Sequence, residues 1–190
     1  MIRVIEKHYR SPEEPLSPRD FKYLVDLVQD KESRHVECKS IEILRRLPKK
    51  IENTKLKISK AVSAFANTDG GVIVFGVDDK TKTLENGVAD SYKHTTISEW
   101  LEDVIQSSVT PRISCFTVKR VQVNNGYHFT VFVMQSPSAP HQSNDNKYYM
   151  RIEGKSRPVD GLVVRDMFNR HRNARLSPRE LCIRRFSGQF

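Results

Sequence analysis

Two acidic stretches of this chain could do chemistry together. One is Glu32-Ser33-Arg34-His35-Val36-Glu37-Cys38-Lys39. The other is the pair Asp78-Asp79, which follows the apolar run Val72 to Val77 just after Asn67-Thr68-Asp69-Gly70-Gly71. Carboxylates are the hard oxygen donors that Mg²⁺ and Mn²⁺ take, and an ion held this way activates water and offsets charge developing on a phosphodiester. Brought together by folding, the two stretches would form a metal-binding acidic cluster. The surrounding chain is strongly basic, with 32 Lys+Arg against 23 Asp+Glu and a formal net charge of +9. A surface of that sign draws polyanions, which makes nucleic acid the leading partner. The competing reading is that these acids are ordinary solvated charges, with Lys39 a salt-bridge partner for one of them.

Composition narrows the remaining classes. A length of 190 residues suits one domain with a real hydrophobic core. The longest apolar run, Val72 to Val77, is far too short to span a bilayer, and the charged N-terminus lacks the apolar core of an export signal. Cys38, Cys115 and Cys182 are widely separated and form no Cys-x-x-Cys pair, so reduced thiols and a cytoplasmic protein are expected.

The elements that must position the acids follow from periodicity. Residues 1–16 carry two prolines, several charges and little periodicity, and read as an N-terminal arm; 17–172 read as the domain and 173–190 as a basic tail. Ser17-Pro18-Arg19-Asp20 opens a helix with Phe21, Leu24, Val25 and Val28 on one face. Val36 to Ser40 is a short strand in which Glu37 and Lys39 share one face. A helix from Asn53-Thr54 buries Leu56, Ile58, Ala61, Val62 and Phe65, and it ends at the Asn67 to Gly71 turn. Val72 to Val77, apolar on both faces, predicts a central strand. Thr96-Ile97-Ser98-Glu99 is a capping box opening a helix that ends before Pro111. Cys115 to Val123 and Tyr127 to Val133 form a hairpin turning at Asn125-Gly126. A Ser-, Pro- and Asn-rich loop from Ser136 to Asn146, of a length often found beside ligands, leads to a last strand, Lys147 to Ile152. Gly154 to Pro158 then turns the chain into a helix over about Asp160 to Arg172, with Leu162, Val163, Met167 and Phe168 on its apolar side. The expected fold is α+β, a central mixed and partly antiparallel sheet flanked by helices. Asn67, Gly70 and Gly71 do not make a phosphate-binding loop: the order is helix then strand, and Gly-x-x-x-x-Gly-Lys-Ser/Thr is absent, so no ATP is expected.

The combination Glu32-x-x-x-x-Glu37-x-Lys39, the helix Ile58 to Phe65 running into Ala66-Asn67-Thr68, the Gly70-Gly71 turn, Gly76-Val77-Asp78-Asp79, and Tyr148-Tyr149-x-Arg151 with Ser156 resembles the Schlafen AlbA-like domain family across roughly residues 18 to 170. In nuclease members of that family, two glutamates five apart and an aspartate after the glycine-rich strand form a metal-dependent ribonuclease site acting on structured RNA such as transfer RNA. The resemblance places Glu32, Glu37 and Asp78 as catalytic and metal-binding residues with Mg²⁺ or Mn²⁺. Lys39, two residues from Glu37 on the same face, could then contact the scissile phosphate or stabilise the departing charge. Vertebrate members carry two such lobes in one chain, and a homodimer would supply the second here.

Around this centre Arg34, Lys60, Arg112, Arg151, Lys155 and Arg157 could follow a nucleic-acid backbone, with Tyr148 or Tyr149 stacking on a splayed base. The functional expectation is a divalent-metal-dependent endoribonuclease, RNA being favoured over DNA. The alternative is a non-catalytic, regulatory DNA- or RNA-binding module, and a third class is a protein-interaction module whose charge serves solubility alone.

Overall fold

A computed structural model describes residues 2–11, 14–30, 34–45, 51–78, 81–123 and 126–174. The chain order is α1 (Ile2–Arg10), α2 (Pro18–Asp30), β1 (Val36–Lys39), α3 (Glu42–Arg45), α4 (Ile51–Ala66), β2 (Gly71–Phe75), α5 (Ile97–Ser108), β3 (Phe116–Val123), β4 (Gly126–Val133), β5 (Tyr149–Ile152), β6 (Lys155–Pro158) and α6 (Gly161–Ala174). Four strands form one mixed sheet in the order β1-β2-β4-β3, and β5-β6 is a separate hairpin. β1 runs parallel to β2, Glu37 opposite Ile73 and Lys39 opposite Phe75; β4 runs antiparallel to both β2 and β3. The expected α+β fold is the observed one.

The position of β2 follows from its sequence. Each residue from Gly71 to Phe75 is buried, so this strand can only lie inside a sheet covered on both sides. One side packs Ile73, Phe75, Phe129 and Val131 against α4 and α5 through Ile58, Val62, Phe65, Leu101 and Ile105. The other packs Val36, Cys38, Val72, Val74 and Phe132 against Leu16, Phe21, Leu24 and Val25. The N-terminus of α2 is closed as expected, the Asp20 N–H donating to the Ser17 hydroxyl at 3.0 Å. At α5 the Thr96 and Glu99 side chains each accept from the other's backbone N–H. Between α4 and β2 the chain reverses at Gly70, where φ is +76° and an added Cβ would lie 2.7 Å from the Val133 carbonyl oxygen. Only glycine fits that conformation and that space.

Several local expectations change. The N-terminal residues read as an arm contain α1, which lies on the sheet: His8 is wholly buried and stacks on Phe132 at 5.1 Å. Ile2, Ile5 and Tyr9 recur at helical spacing within it, a signal outweighed by the charges among them and by Pro12 and Pro15 just after. Residues 155–158, expected as a turn, form β6 and pair with β5. Along α6, Met167 is buried but Leu162 and Phe168 stay 64% and 53% exposed. Leu162 and Phe168 lie off the stripe that Val163 and Met167 share at i,i+4 spacing. The Ser136 to Asn146 loop is packed inward rather than open, with Ser136, Ala139, His141 and Ser143 buried. The turn residues Asn124-Asn125 and the tail from Arg175 lie outside the described residues.

Candidate functional site

The pleat of β1 turns Val36 and Cys38 into the α2 side of the core and Glu37 and Lys39 toward α4 and the β5-β6 hairpin. Glu37 is the hub of what lies there. One of its oxygens pairs with the Lys39 ammonium and the other with the Arg151 guanidinium, and the Ser156 hydroxyl donates to the latter oxygen at 3.2 Å. The Glu37 and Lys39 side chains are 17% and 15% exposed, so both charges are screened less than surface pairs.

Arg151 is buried, its side chain only 1% exposed. Beyond Glu37, its guanidinium donates to the Ser156 hydroxyl at 3.1 Å and to the carbonyls of Arg34, Val36 and Gly154, and it lies 4.6 Å from the Phe65 ring centroid. The planar fork thus ties β1, β5, the β5-β6 turn and α4 into one unit. The expectation that Arg151 touches a nucleic-acid backbone does not match this burial; it is a strut that positions Glu37. Tyr149 departs in the same way. It is 5% exposed, its hydroxyl donates to Asp145 at 2.7 Å, and Lys60 covers its ring at 5.2 Å, so no face remains for a base.

Lys60 also pairs with Asp145 at 3.1 Å. The hydrogen bond with Tyr149 raises the Lys60 pKa, and the Asp145 carboxylate adds to this against the effect of burial. Burial pushes the Asp145 carboxyl up, but the Tyr149 hydroxyl and the Lys60 ammonium outweigh it and hold the group below its ordinary range. Arg34, half exposed, meets Asp69 at 2.7 Å. Arg112, Lys155 and Arg157 are exposed, the last two on the hairpin strand that carries Ser156.

Asp78 lies beyond the last residue of β2, whereas Glu37 is level with Ile73, so the two acids enter from different heights of the parallel pair. The Asp78 carboxylate accepts from the Thr81 N–H and hydroxyl at 2.7 and 2.9 Å, which closes the turn after β2. Glu32 and Asp79 lie outside the described residues. Among the described residues, no group of three His, Cys, Asp or Glu is arranged to hold a metal ion.

Residues outside the expected site anchor this region to α4. The Asn67 side chain donates to the carbonyls of His141 and Tyr149 at 2.9 and 3.0 Å and accepts from the His141 N–H at 2.7 Å. The Thr68 hydroxyl donates to Ala64 and accepts from the Arg151 N–H at 3.0 Å. His141, wholly buried, has its ring nitrogens 2.6 Å from the Ser136 hydroxyl and 2.7 Å from the Pro111 carbonyl. Polar residues at the end of an apolar helix were the available signal, since a buried polar group requires a partner.

With this geometry in hand, the chain can be set beside known proteins. A family model described as Schlafen, AlbA_2 matches residues 32–160. An uncharacterized ATP-binding protein of Ureaplasma parvum is 23% identical over 118 residues, covering 60% of this chain and 32% of the relative. Among solved structures, the DIP2311 protein of Corynebacterium diphtheriae superposes with a TM-score of 0.50 at 22% identity, covering 68% of this chain and 23% of that one. That likeness is one of fold. This chain therefore spans about a third of the curated relative and a quarter of the solved one. No helix among the described residues is long and apolar enough to cross a membrane. The family match runs from the acidic stretch before β1 to the residue before α6 and includes the Glu37 hub, Arg151 and Ser156; the chain belongs to the Schlafen AlbA_2 family, which points to a function with nucleic acid.

Proposed function

We propose that this chain acts on RNA, and most concretely that it is a divalent-metal-dependent endoribonuclease whose substrates are structured RNAs such as transfer RNA. The observation that carries this reading is the half-buried Glu37 carboxylate with Lys39 beside it, tied through Ser156 to the hairpin strand that also carries the exposed Lys155 and Arg157. A carboxylate so placed can hold a hard cation, and an ammonium next to it can meet a phosphate oxygen. By the resemblance Glu32 and Asp78 would complete the ligand set, which requires Asp78 to give up its bonds to Thr81 and approach Glu37 from beyond the end of β2. Mg²⁺ or Mn²⁺ would supply an activated water and offset charge on the scissile phosphate. Lys39 would leave its pairing with Glu37 for the substrate.

One observation favours a second reading, a non-catalytic nucleic-acid-binding module. Glu37 already has two cationic partners, Arg151 and Lys39, and an incoming metal ion must compete with both. The Ureaplasma relative is named as an ATP-binding protein, so ATP is added to the test as a competitor. Purified protein is incubated with total transfer RNA in Mn²⁺, in Mg²⁺ and in EDTA, with Glu37→Gln as the isosteric variant and circular dichroism to check its fold. Metal-dependent cleavage that disappears in Glu37→Gln supports the nuclease. Binding without cleavage, weakening steeply with salt, supports the binding module. Cleavage that persists in Glu37→Gln removes Glu37 from the mechanism.

A further inference from the structure

A cleft of about 290 Å³ opens beside the carboxyl end of β1, between α3, the loop after β2 and the start of α5. Leu44, Val88 and Ile97 form apolar walls, Tyr92 adds an aromatic ring, and Arg45 and Ala89 stand on its lining. The loop is fixed from several sides. Glu85 accepts from the Ser40 hydroxyl and the Ile41 N–H, Val88 exchanges backbone hydrogen bonds with Tyr127, and Asp90 accepts from the Ile97 N–H at 2.9 Å. Gly87 lies against the β3-β4 hairpin so closely that a Cβ there would sit 2.6 Å from the Gly126 carbonyl carbon. The cleft is thus held open by bonded backbone rather than by side chains free to collapse.

Two features of the lining point to a ligand. The Tyr92 hydroxyl is buried and has no hydrogen-bond partner among the described residues, an arrangement that is costly unless something else supplies the bond. Arg45, half exposed, pairs with Glu42 and with the Asn86 carbonyl, which holds its guanidinium beside the loop. The N-terminus of α5 is not the attraction, because the Thr96 and Glu99 side chains already occupy it. Apolar walls, an aromatic ring, one unpaired hydroxyl and a guanidinium on the lining fit a flat group with hydrogen-bonding edges joined to an anion. The volume lies near the lower bound of about 300 Å³ for small-ligand sites, enough for one such group and not for several.

We infer that this cleft binds a single nucleobase, with Arg45 meeting the attached phosphate. Lys39 ends β1 and Ser40 and Ile41 are tied to the cleft loop, so a nucleotide held here lies one short connection from Glu37. The inference rests on the reading that the chain engages nucleic acid, and it adds base recognition next to the Glu37 hub. A free mononucleotide presents the same chemistry as one nucleotide of a strand.

The test uses the full chain and its single tryptophan, Trp100, which stands edge-on to Tyr92 at 5.6 Å and reports on the cleft. Emission is followed on titration with the four nucleoside monophosphates, with a single-stranded oligoribonucleotide, and with the same oligonucleotide made abasic. Ala89→Phe fills the cleft from an exposed position; Tyr92→Phe removes only the hydroxyl. The expected result is binding of the intact strand about tenfold tighter than the abasic one, a base stack or pair being worth about 1–3 kcal/mol, with the difference lost in Ala89→Phe and reduced in Tyr92→Phe. Monophosphates that shift Trp100 emission in wild type alone, while strands do not, assign the cleft to free nucleotide. Equal binding of intact and abasic strands, unchanged by Ala89→Phe, overturns the inference and leaves nucleic-acid binding standing. If no strand and no monophosphate binds, both readings fall.

Discussion

The two faces of the sheet bury charge in opposite ways. On the α4 side, Arg151 is surrounded by a carboxylate, a hydroxyl, three carbonyls and an aromatic ring. On the α1/α2 side, Lys119, 5% exposed, donates to the backbone carbonyls of Ser11 and Glu14. His8 and His128 are buried there too, each with one ring nitrogen partnered and Nδ1 without a hydrogen-bond partner among the described residues. The first face is built around an ion network that fixes the geometry of Glu37. The second holds down an N-terminal segment lying before residue 32, where the family match begins. The lesson is that a buried charge on one side positions a candidate site, and on the other it fastens a cover.

The sharpest way to break this contrast is Arg151→Met. Removing Arg151 leaves Glu37 with Lys39 as its cationic partner and strips the Arg34, Val36 and Gly154 carbonyls of a donor, a loss of about 3–5 kcal/mol measured as the drop in urea unfolding free energy. Lys119→Met should cost less, about 1–3 kcal/mol, because the carbonyls it abandons are neutral and close to a connection that water can reach. The two variants should also differ in kind. Lys119→Met speeds limited proteolysis near residues 11 to 16 while Lys39 and Glu37 keep their geometry, whereas Arg151→Met abolishes any nucleic-acid activity along with stability. Equal losses in both would erase the distinction between the faces.

Acid should act on the cover first. Burial lowers the pKa of His8, and Lys119 lowers it further, against the hydrogen bond and charge of Asp20. Burial likewise lowers that of His128, against the Glu85 carbonyl. Both folded-state values lie below the ordinary 6.5, so in acid the unfolded chain binds protons that the folded one refuses. The stability the neutral rings provide is intact above about pH 6.5, declines below it, and is gone once pH falls under the folded values; each histidine can change it by at most about 1.4 kcal/mol per pH unit. Unfolding midpoints at pH 7.5 and 5.5 should therefore separate in wild type and draw together in His8→Gln.

The contrast also explains what could be read in advance. Elements whose burial is made of aliphatic repeats or standard caps were legible: the Ser17 and Thr96 caps, the apolar β2 and the β3-β4 strands carry their own signals. α1 was not, although Ile2, Ile5 and Tyr9 recur at helical spacing, because the helix is short, rich in charge and followed at once by Pro12 and Pro15. β6 was hidden for a related reason: Lys155, Ser156, Arg157 and Pro158 have no apolar alternation, and the strand exists because it pairs with β5. In the site, Glu37 and Lys39 were found together on one face from pleat alone. Arg151 and Tyr149 were read as outward because charged and phenolic side chains usually are, and only the tertiary arrangement of Glu37, Ser156 and Asp145 draws them inside.

The smallest effect is the most discriminating between stability and function. Arg34 and Asp69 form a 2.7 Å pair with both side chains about half exposed, on the same side as the Arg151 network. Solvent and salt screen such a pair, so Arg34→Gln should alter the unfolding free energy by no more than about 0.5 kcal/mol. The Arg34 carbonyl that accepts from Arg151 is unaffected by a change of side chain. If the guanidinium meets a phosphate, however, its loss removes one released counterion, and the slope of log affinity against log salt falls by about 0.7 to 0.9. Unchanged stability with a reduced slope would place the nucleic-acid path across this rim. Unchanged stability with an unchanged slope would confine it to the hairpin, where Lys155 and Arg157 are the next pair to remove.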